Sequence, residues 1–338
     1  MKGERLMAKS PSGFIQVFKD PTLSFKEKGR LFSVKVNRFL FGMNDKKGFL
    51  MKLVIYTLLL CIGFVYLYPM MHMFVTSMTS LADLLDSSVR WIPSVFYTDN
   101  YEQAFSVMNI RKSLLGSFII AFIPTIFQVI VASLVGYGFA RFDFPFKKIL
   151  FGLMIFSFII PPQILMMPTY RLFSEIGLTG SINAFWIPAA LGQGINSTIF
   201  ILIFYQFFKQ TPTSLYEAAE VDGAGQLTAF FRIAIPMAVP AFIVSFLFSF
   251  VWYWNETYLT TLYLTSKSTD ITTILLQLQQ FEQNYEAMYP VTENSPNKIN
   301  EGIKMAGTFI SILPLLIVYF FLQRYFVESV DRTGITGE

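Results

Sequence analysis

Residues 113–137 read SLLGSFIIAFIPTIFQVIVASLVGY, a run without a single Asp, Glu, Lys or Arg. An α-helix needs about 20 such residues to cross a hydrocarbon layer roughly 30 Å thick. A strand of a membrane β-barrel would instead alternate apolar and polar residues over a shorter stretch. The run therefore predicts a transmembrane helix.

Five more apolar segments of similar length predict spans at 53–75, 149–169, 184–208, 233–254 and 305–323. Only 14% of the 338 residues are charged, against about 25% in soluble domains. We therefore expect an all-α polytopic membrane protein, with six transmembrane helices within residues 51–326. The first span is too long, and starts too far into the chain, for a cleaved signal peptide.

The basic residues are distributed unevenly. With the N-terminus inside, 19 of the 26 Lys and Arg fall on the inner side, 12 of them in residues 1–52. Because basic loops stay in the cytoplasm, we expect both termini there. This orientation gives a basic N-terminal segment at 1–50, outer loops at 76–112 and 255–304, and a short cytoplasmic tail at 327–338. We expect the basic segment to lie on anionic lipid, with partner docking as the alternative and no role in nucleic-acid binding.

The predicted spans contain no charged residue, and the one His, His72, lies near the outer end of the first. Ion-coupled transporters need an ionisable residue or an ion-coordinating break at membrane depth, so energy for uphill transport would have to enter from outside the membrane. The single Cys61 excludes a disulfide framework. We find no nucleotide-binding or nucleophile motif, and expect no catalytic residue, no metal site and no enzyme activity.

Polar residues in the spans are neutral, and several Pro residues are expected to kink the helices. Together they fit a bundle that opens a central path for a neutral, hydrogen-bonding solute. The candidate path residues are Gln163, Gln193, Asn196, Trp252, Trp254, Asn255 and Glu256. Many polar residues in spans serve only as contacts between helices.

The predicted inner loop 209–232 reads KQTPTSLYEAAEVDGAGQLTAFFR. We expect Thr211 to cap a short helix that has Pro212 at its first position. Gly223 is expected to end that helix in a left-handed conformation. A second helix would carry Phe230 and Phe231 into the fifth span. A short helix with an Ala face suits insertion into a cleft of another protein, and a simple connection between spans is the alternative.

This loop resembles the EAA loop of binding-protein-dependent ABC importer permeases. The matching residues are Glu217-Ala218-Ala219, Asp222-Gly223-Ala224, Phe230, Ile233, Pro236 and Pro240. Residues 136–145, GYGFARFDFP, are similar to the stretch after the second span of sugar permeases, and Trp254-Asn255-Glu256 is a third match. The resemblance covers about residues 50–330 and is closest to the MalG-like carbohydrate permeases.

The resemblance implies a type I importer permease fold in a bacterial inner membrane, with a cytoplasmic coupling helix. The residues that would dock on an ATPase are Glu217, Ala218, Ala219, Asp222, Gly223 and Ala224, supported by Pro212, Phe230, Ile233 and Pro236. The implied partners are a second homologous permease, two ATPase subunits, an extracytoplasmic solute-binding protein and a carbohydrate. ATP and Mg would be bound by the ATPase, and no cofactor by this chain.

Other functions stay open at this point. A self-sufficient facilitator would need no ATPase and would be indifferent to changes at Gly223. An ABC permease for a polyol or for glycerol phosphate is a variant, although a phosphorylated solute calls for path-facing Lys or Arg, which the spans lack. A membrane enzyme would need a polar cluster at the bilayer boundary, which the sequence does not show.

Overall fold

The computed structural model describes residues 33, 37, 40–43, 46–86, 91–264, 271–290 and 299–335. Most of the predicted basic segment at 1–50, and parts of both outer loops, lie outside the described residues. Helices dominate the described part, in agreement with the all-α prediction. The strands within it are two-residue pieces, in which Gly42–Met43 pairs antiparallel with Lys46–Lys47.

The helices of the described residues are labelled in chain order. They are α1 Phe49–Ser77, α2 Leu81–Leu85, α3 Asp99–Val107, α4 Ile110–Arg141, α5 Lys147–Ile159, α6 Pro162–Glu175, α7 Asn183–Ala190, α8 Ser197–Gln210, α9 Thr213–Val221, α10 Gln226–Met237, α11 Val239–Asn255, α12 Tyr258–Leu264, α13 Ile274–Gln279, α14 Phe281–Met288 and α15 Glu301–Ile335.

The chain divides into two compact units, Met1–His72 and Met73–Glu338. In the first unit, α1 carries a ladder of aromatic rings one helical turn apart. The rings of Phe64 and Tyr68 lie 5.8 Å apart, and those of Tyr68 and His72 lie 6.3 Å apart. The second unit holds the end of α1, from Met73, and the other helices.

Three helices of the described residues are long and apolar enough to cross a membrane: Phe49–Ser77, Ile110–Arg141 and Glu301–Arg324. They correspond to the first, second and sixth predicted spans. The last helix continues to Ile335. The backbone of residues 327–335, within the predicted tail, therefore extends this helix.

The third and fifth predicted spans are not straight helices. The chain bends by 98° between α5 and α6 and by 75° between α10 and α11. The first bend lies at Pro161 and Pro162, and the second at Ala238, between Pro236 and Pro240. Proline lacks the N–H that a helix needs, so these positions interrupt the hydrogen-bond ladder. If each bent pair is one span, the total is five.

The fourth predicted span, 184–208, is also interrupted. It consists of α7 and α8, separated by residues 191–196, where Gly192 and Asn196 have positive φ angles of 76° and 53°. At 1.5 Å per residue, the two helices are about 12 and 21 Å long, and neither spans about 30 Å alone. The fourth predicted span is therefore divided into two helices, and the count of six transmembrane helices stays a prediction.

Two other helices bind the irregular backbone of this break. The N–H of Ile195 donates to the hydroxyl of Tyr253 on α11 at 3.2 Å. The carbonyl of Ile195 accepts from Nε2 of Gln128 on α4 at 2.6 Å. Non-helical backbone at membrane depth is tolerated where it is buried in protein and hydrogen-bonded. Both peptide groups of this residue meet that condition.

The long helix α4 packs against α7, α8 and α11 and lies between two apolar clusters. The first cluster surrounds its N-terminal half and includes Phe250, Trp254 and Phe281. The second surrounds its C-terminal half. Four of its members form what we term the aromatic cluster: Tyr137, Phe204, Phe208 and Phe230. This cluster lies beside the predicted coupling loop.

Helices α4 and α8 approach closely at Gly136. A Cβ on this residue would lie 2.7 Å from Cβ of Phe204 and 2.9 Å from the backbone nitrogen of Tyr205. A Cβ on Gly138, two residues further along α4, would meet open space. Small residues at helix contacts let backbones approach in membrane proteins. Gly136 therefore sets the distance between α4 and α8.

The predicted outer loops are largely helical where they are described. Loop 76–112 contains α2 and α3, and the buried Asn100 donates to the carbonyls of Ser77 at 3.0 Å and Thr79 at 2.9 Å. Loop 255–304 contains α12, α13 and α14. The N–H of Ile274 donates to Oγ of Ser117 on α4 at 2.7 Å. Both loops are therefore anchored by buried hydrogen bonds.

Candidate functional site

The short helix expected in loop 209–232 is present as α9, Thr213–Val221, and is mostly exposed. Pro212 precedes it with a φ of −55° and a ψ of 134°. Thr211 does not cap it, contrary to our expectation. Its Oγ1 donates backwards to the carbonyl of Phe207 at 3.3 Å, so this residue closes α8 instead. Because a threonine hydroxyl pairs with either flanking turn, the sequence alone does not distinguish the two roles.

The left-handed turn predicted at Gly223 is present, with a φ of 78°. The N–H of Gly223 donates to the carbonyl of Glu220 at 3.0 Å, and that of Ala224 to the carbonyl of Ala219 at 2.9 Å. This pair of bonds is the Schellman motif, which satisfies the last helical carbonyls. It ends α9 abruptly and turns the chain toward α10.

The exposed side of α9 combines acidic and apolar side chains. Glu217, Ala218 and Asp222 are exposed. Leu215 is 43% exposed and Val221 is 88% exposed. This surface presents both carboxylates and apolar groups on the outside of the protein.

One large side chain of α9 points back to the protein body. Tyr216 is half-buried, and its ring lies 6.3 Å from that of Tyr137. Cζ of Arg141, the last residue of α4, lies 3.9 Å from the centroid of the Tyr216 ring. Nη2 of Arg141 also donates to the carbonyls of Phe208 at 2.7 Å and Thr211 at 2.6 Å. Sequence reasoning missed this contact, although Arg141 and Tyr137 lie in the GYGFAR stretch that carried the second resemblance.

The residues predicted to support the loop occupy different environments. Phe230 is buried, with its ring 4.9 Å from that of Tyr137, and Ile233 is half-buried. Pro212 and Pro236 are exposed. The neighbouring Phe231 is 61% exposed, so only one of the two phenylalanines expected to enter the span reaches the core.

The backbone around Phe230 contains a π-helical turn, Phe230–Ala234. Such turns occur where one residue too many is fitted into a helix, frequently at functional sites. Here the turn lies directly before the proline-associated bend at Ala238. Helix α10 is therefore irregular between the predicted coupling loop and α11.

The candidate path residues fall into three places. Gln193, which is exposed, and Asn196, which is half-buried, lie in the break between α7 and α8. Trp252 packs on the ring of Phe200 at 5.1 Å, while Trp254 is buried in the first cluster. These four residues therefore lie on two segments, the break and α11, and have different neighbours.

The remaining path candidates lie near the predicted outer side. Asn255 is exposed at the end of α11, and Oε1 of Glu256 accepts from the N–H of Leu259 at 2.8 Å, which caps α12. Gln163 lines a cavity of about 700 Å³. The other lining residues are Met166, Met167, Thr257, Tyr258, Thr261, Leu262 and Gln279. These described lining residues offer neutral hydrogen-bonding groups, thioethers and one aromatic ring.

Metal ligation has no clear location in the described part of the chain. Within it, no three His, Cys, Asp or Glu side chains gather where they would hold an ion.

A family model for the binding-protein-dependent transport system inner membrane component matches residues 128–332. The chain is 30% identical to the osmoprotective compounds uptake permease protein GgtD of Synechocystis sp., over 85% of this chain and 93% of the relative. It is 31% identical to the polygalacturonan/rhamnogalacturonan transport system permease protein YtcP of Bacillus subtilis, over 86% of this chain and the whole relative.

A third relative is the arabinooligosaccharides transport system permease protein AraQ of Halalkalibacterium halodurans, 26% identical over 82% of this chain and 93% of the relative. Among solved structures, the chain resembles one from a bacterial ABC transporter involved in the import of the acidic polysaccharide alginate. The TM-score is 0.66 at 20% identity, over 91% of this chain and all of the other. This likeness concerns the fold.

Proposed function

The chain belongs to the family of binding-protein-dependent transport system inner membrane components, and from this premise we propose how it works. It is the permease subunit of an ATP-driven importer for an oligosaccharide or related sugar. With a second, homologous permease it forms the path through a bacterial inner membrane. Two ATPase subunits bind ATP and Mg, and an extracytoplasmic binding protein delivers the solute. This chain carries no catalytic residue.

The exposure of helix α9 is the observation that best supports the proposed coupling to an ATPase. Seven of its nine residues are exposed, and its end is fixed by the left-handed Gly223. A short helix that projects from the body and presents Glu217, Ala218 and Leu215 suits a groove in another protein. Since the spans lack charged residues, energy supplied through such a contact accounts for uphill transport.

The chemistry of the path supports a neutral, hydroxyl-rich solute. Apart from His72, the polar side chains in the predicted spans carry amides, hydroxyls and indoles, which pair with sugar hydroxyls without attracting charge. The cavity lined by Gln163, Tyr258 and Thr261 adds an aromatic ring on which the apolar face of a sugar packs. Relatives named for arabinooligosaccharides and for polygalacturonan/rhamnogalacturonan support a saccharide. The relative named for osmoprotective compounds keeps an osmoprotective compound as the second candidate.

The partnership is tested by purifying the tagged chain from its native membranes in a mild detergent and identifying bound proteins by mass spectrometry. We expect a second permease and an ATPase in matching amounts. Recovery of this chain alone, still moving a neutral sugar such as ¹⁴C-maltotriose into liposomes, would refute the importer and support a facilitator.

Two substitutions test the coupling helix in the same preparation. Gly223→Val forces a β-branched residue into a left-handed conformation, and Glu217→Lys reverses a charge on the exposed face. We expect both variants to insert normally but to retain less ATPase. Gly225→Val is the matched control, because this glycine has a φ of −70° and open space around it. Equal ATPase retention in all three variants would contradict the assignment of α9.

A further inference from the structure

Helix α9 has few ways to transmit a force to the rest of the chain. Only Tyr216 and Ala219 are half-buried, and the other residues of Thr213–Val221 are exposed. The methyl group of Ala219 is short. Besides its two chain ends, Tyr216 is therefore the main contact through which a displacement of α9 reaches the body of the protein.

Arg141 meets Tyr216 from the end of α4. Its guanidinium lies over the ring, with Cζ 3.9 Å from the centroid. A guanidinium is planar, so its face stacks on an aromatic ring while its edge donates hydrogen bonds. Its Nη2 uses that edge toward the carbonyls of Phe208 and Thr211.

Those two carbonyls close the end of α8. The last carbonyls of a helix lack partners within it and carry partial negative charge, which a cation stabilises. Pro212, which follows, has no N–H to offer them. One side chain thus joins the end of α4, the end of α8 and the ring of Tyr216 on α9.

The same place contains three buried polar atoms without a hydrogen-bond partner in the described structure: the hydroxyls of Tyr137 and Tyr216, and Nε of Arg141. Buried polar atoms without partners raise the free energy of the state that contains them. The stacking of Arg141 on Tyr216 and its two hydrogen bonds therefore have to offset this cost if the three helices are to stay together.

We propose that Arg141 is a positioning residue that makes α9, α4 and α8 move together when the ATPase displaces α9. The inference rests on the proposed function, in which α9 is the ATPase contact. It assigns the GYGFAR stretch a mechanical role: Gly136 holds α4 against α8, and Arg141 fixes both helices to the coupling helix.

The test uses the complex purified from native membranes, with Cys61→Ser as background. Spin labels are attached at Ser214→Cys on α9 and Leu115→Cys on α4, both exposed positions. Pulsed electron paramagnetic resonance measures the distance between the labels without nucleotide and with ATP plus vanadate. We expect one unchanged distance in the parent, and a shift between the two states in Arg141→Ala.

Further variants distinguish a specific role of the contact between Arg141 and Tyr216 from a general loss of structure. Tyr216→Ala changes only a side chain of the exposed helix and should produce the same shift. The double variant should shift no further, since both residues belong to one contact. Lys148→Ala removes an exposed cation close in sequence to Arg141 and should behave like the parent.

The inference is overturned if Arg141→Ala and Tyr216→Ala keep the unchanged distance, or if the parent itself shows a shift. Failure of the proposed function looks different. In that case the tagged parent retains no ATPase, and ATP plus vanadate has no target in the preparation.

Discussion

At the scale of single residues, neighbouring positions of the same type have different roles because their surroundings differ. Gly136 faces the backbone of α8, whereas Gly138 meets open space. Phe230 is 4% exposed, whereas Phe231 is 61% exposed. Each pair provides a substitution and its control within the same helix, so helix propensity cancels from the comparison.

The first prediction concerns the close approach at Gly136. Gly136→Val places side-chain atoms where Cβ of Phe204 already lies, and overpacking of this kind costs about 1–3 kcal/mol. We expect a lower thermal unfolding temperature of the detergent-solubilised protein than for Gly138→Val. Equal unfolding temperatures would show that α4 and α8 do not depend on this contact.

The second prediction concerns the aromatic cluster. Phe230→Ala removes a buried ring that contacts Tyr137 and Phe208, and such truncations cost about 3–5 kcal/mol. Phe231→Ala removes an exposed ring, and surface changes usually stay within about 0.5 kcal/mol. Thermal unfolding of both variants checks the contrast. A comparable loss in Phe231→Ala would argue against the burial seen for Phe230.

At the scale of elements, the sequence indicates where helices are interrupted but not how the interruption is stabilised. Two pairs of prolines in the sequence, Pro161-Pro162 and Pro236 with Pro240, predicted the bends between α5 and α6 and between α10 and α11. The break at Ile195 is flanked by Gly192 and Gly194, which favour an interruption, but the local sequence does not indicate which residues bind its backbone. Its partners Gln128 and Tyr253 lie 67 and 58 residues away. Local patterns carry no information about pairs so far apart.

The third prediction concerns this break. Gln128→Leu leaves the carbonyl of Ile195 without its partner, and Tyr253→Phe does the same to its N–H. An unpaired buried polar group costs about 1–3 kcal/mol, so both variants should unfold at lower temperature. Gln193→Leu is the control, because that glutamine is exposed. Were the control to lose as much stability, the hydrogen bonds to Ile195 would not be the cause.

At the scale of the whole molecule, composition and charge predicted an all-α membrane protein, and the family match agrees with the coupling-loop motif. The Gly223 turn followed from local chemistry, since a left-handed position favours glycine. The contact between Arg141 and Thr211, 70 residues apart, did not. Prolines in the spans predicted bends, whereas hydropathy alone did not show that the third, fourth and fifth predicted spans are each divided into two helices.

The fourth prediction concerns orientation in the membrane. The charge distribution puts α9 in the cytoplasm and α14 outside. In a Cys61→Ser background, a membrane-impermeant maleimide should label Glu286→Cys in intact spheroplasts and Ser214→Cys only in inverted vesicles. Both positions are exposed. The reverse labelling pattern would show that the chain is inserted the other way round.

The break at Ile195 also has a consequence for biosynthesis. A chain made from its N-terminus presents Gln128 first, the two half-helices next and Tyr253 last. Until residue 253 has left the ribosome, the N–H of Ile195 lacks its partner, and exposing such a group to lipid costs several kcal/mol. The fourth predicted span therefore reaches its final structure late in synthesis. We expect the insertion machinery to keep it away from lipid until the fifth predicted span, which carries Tyr253, has been inserted.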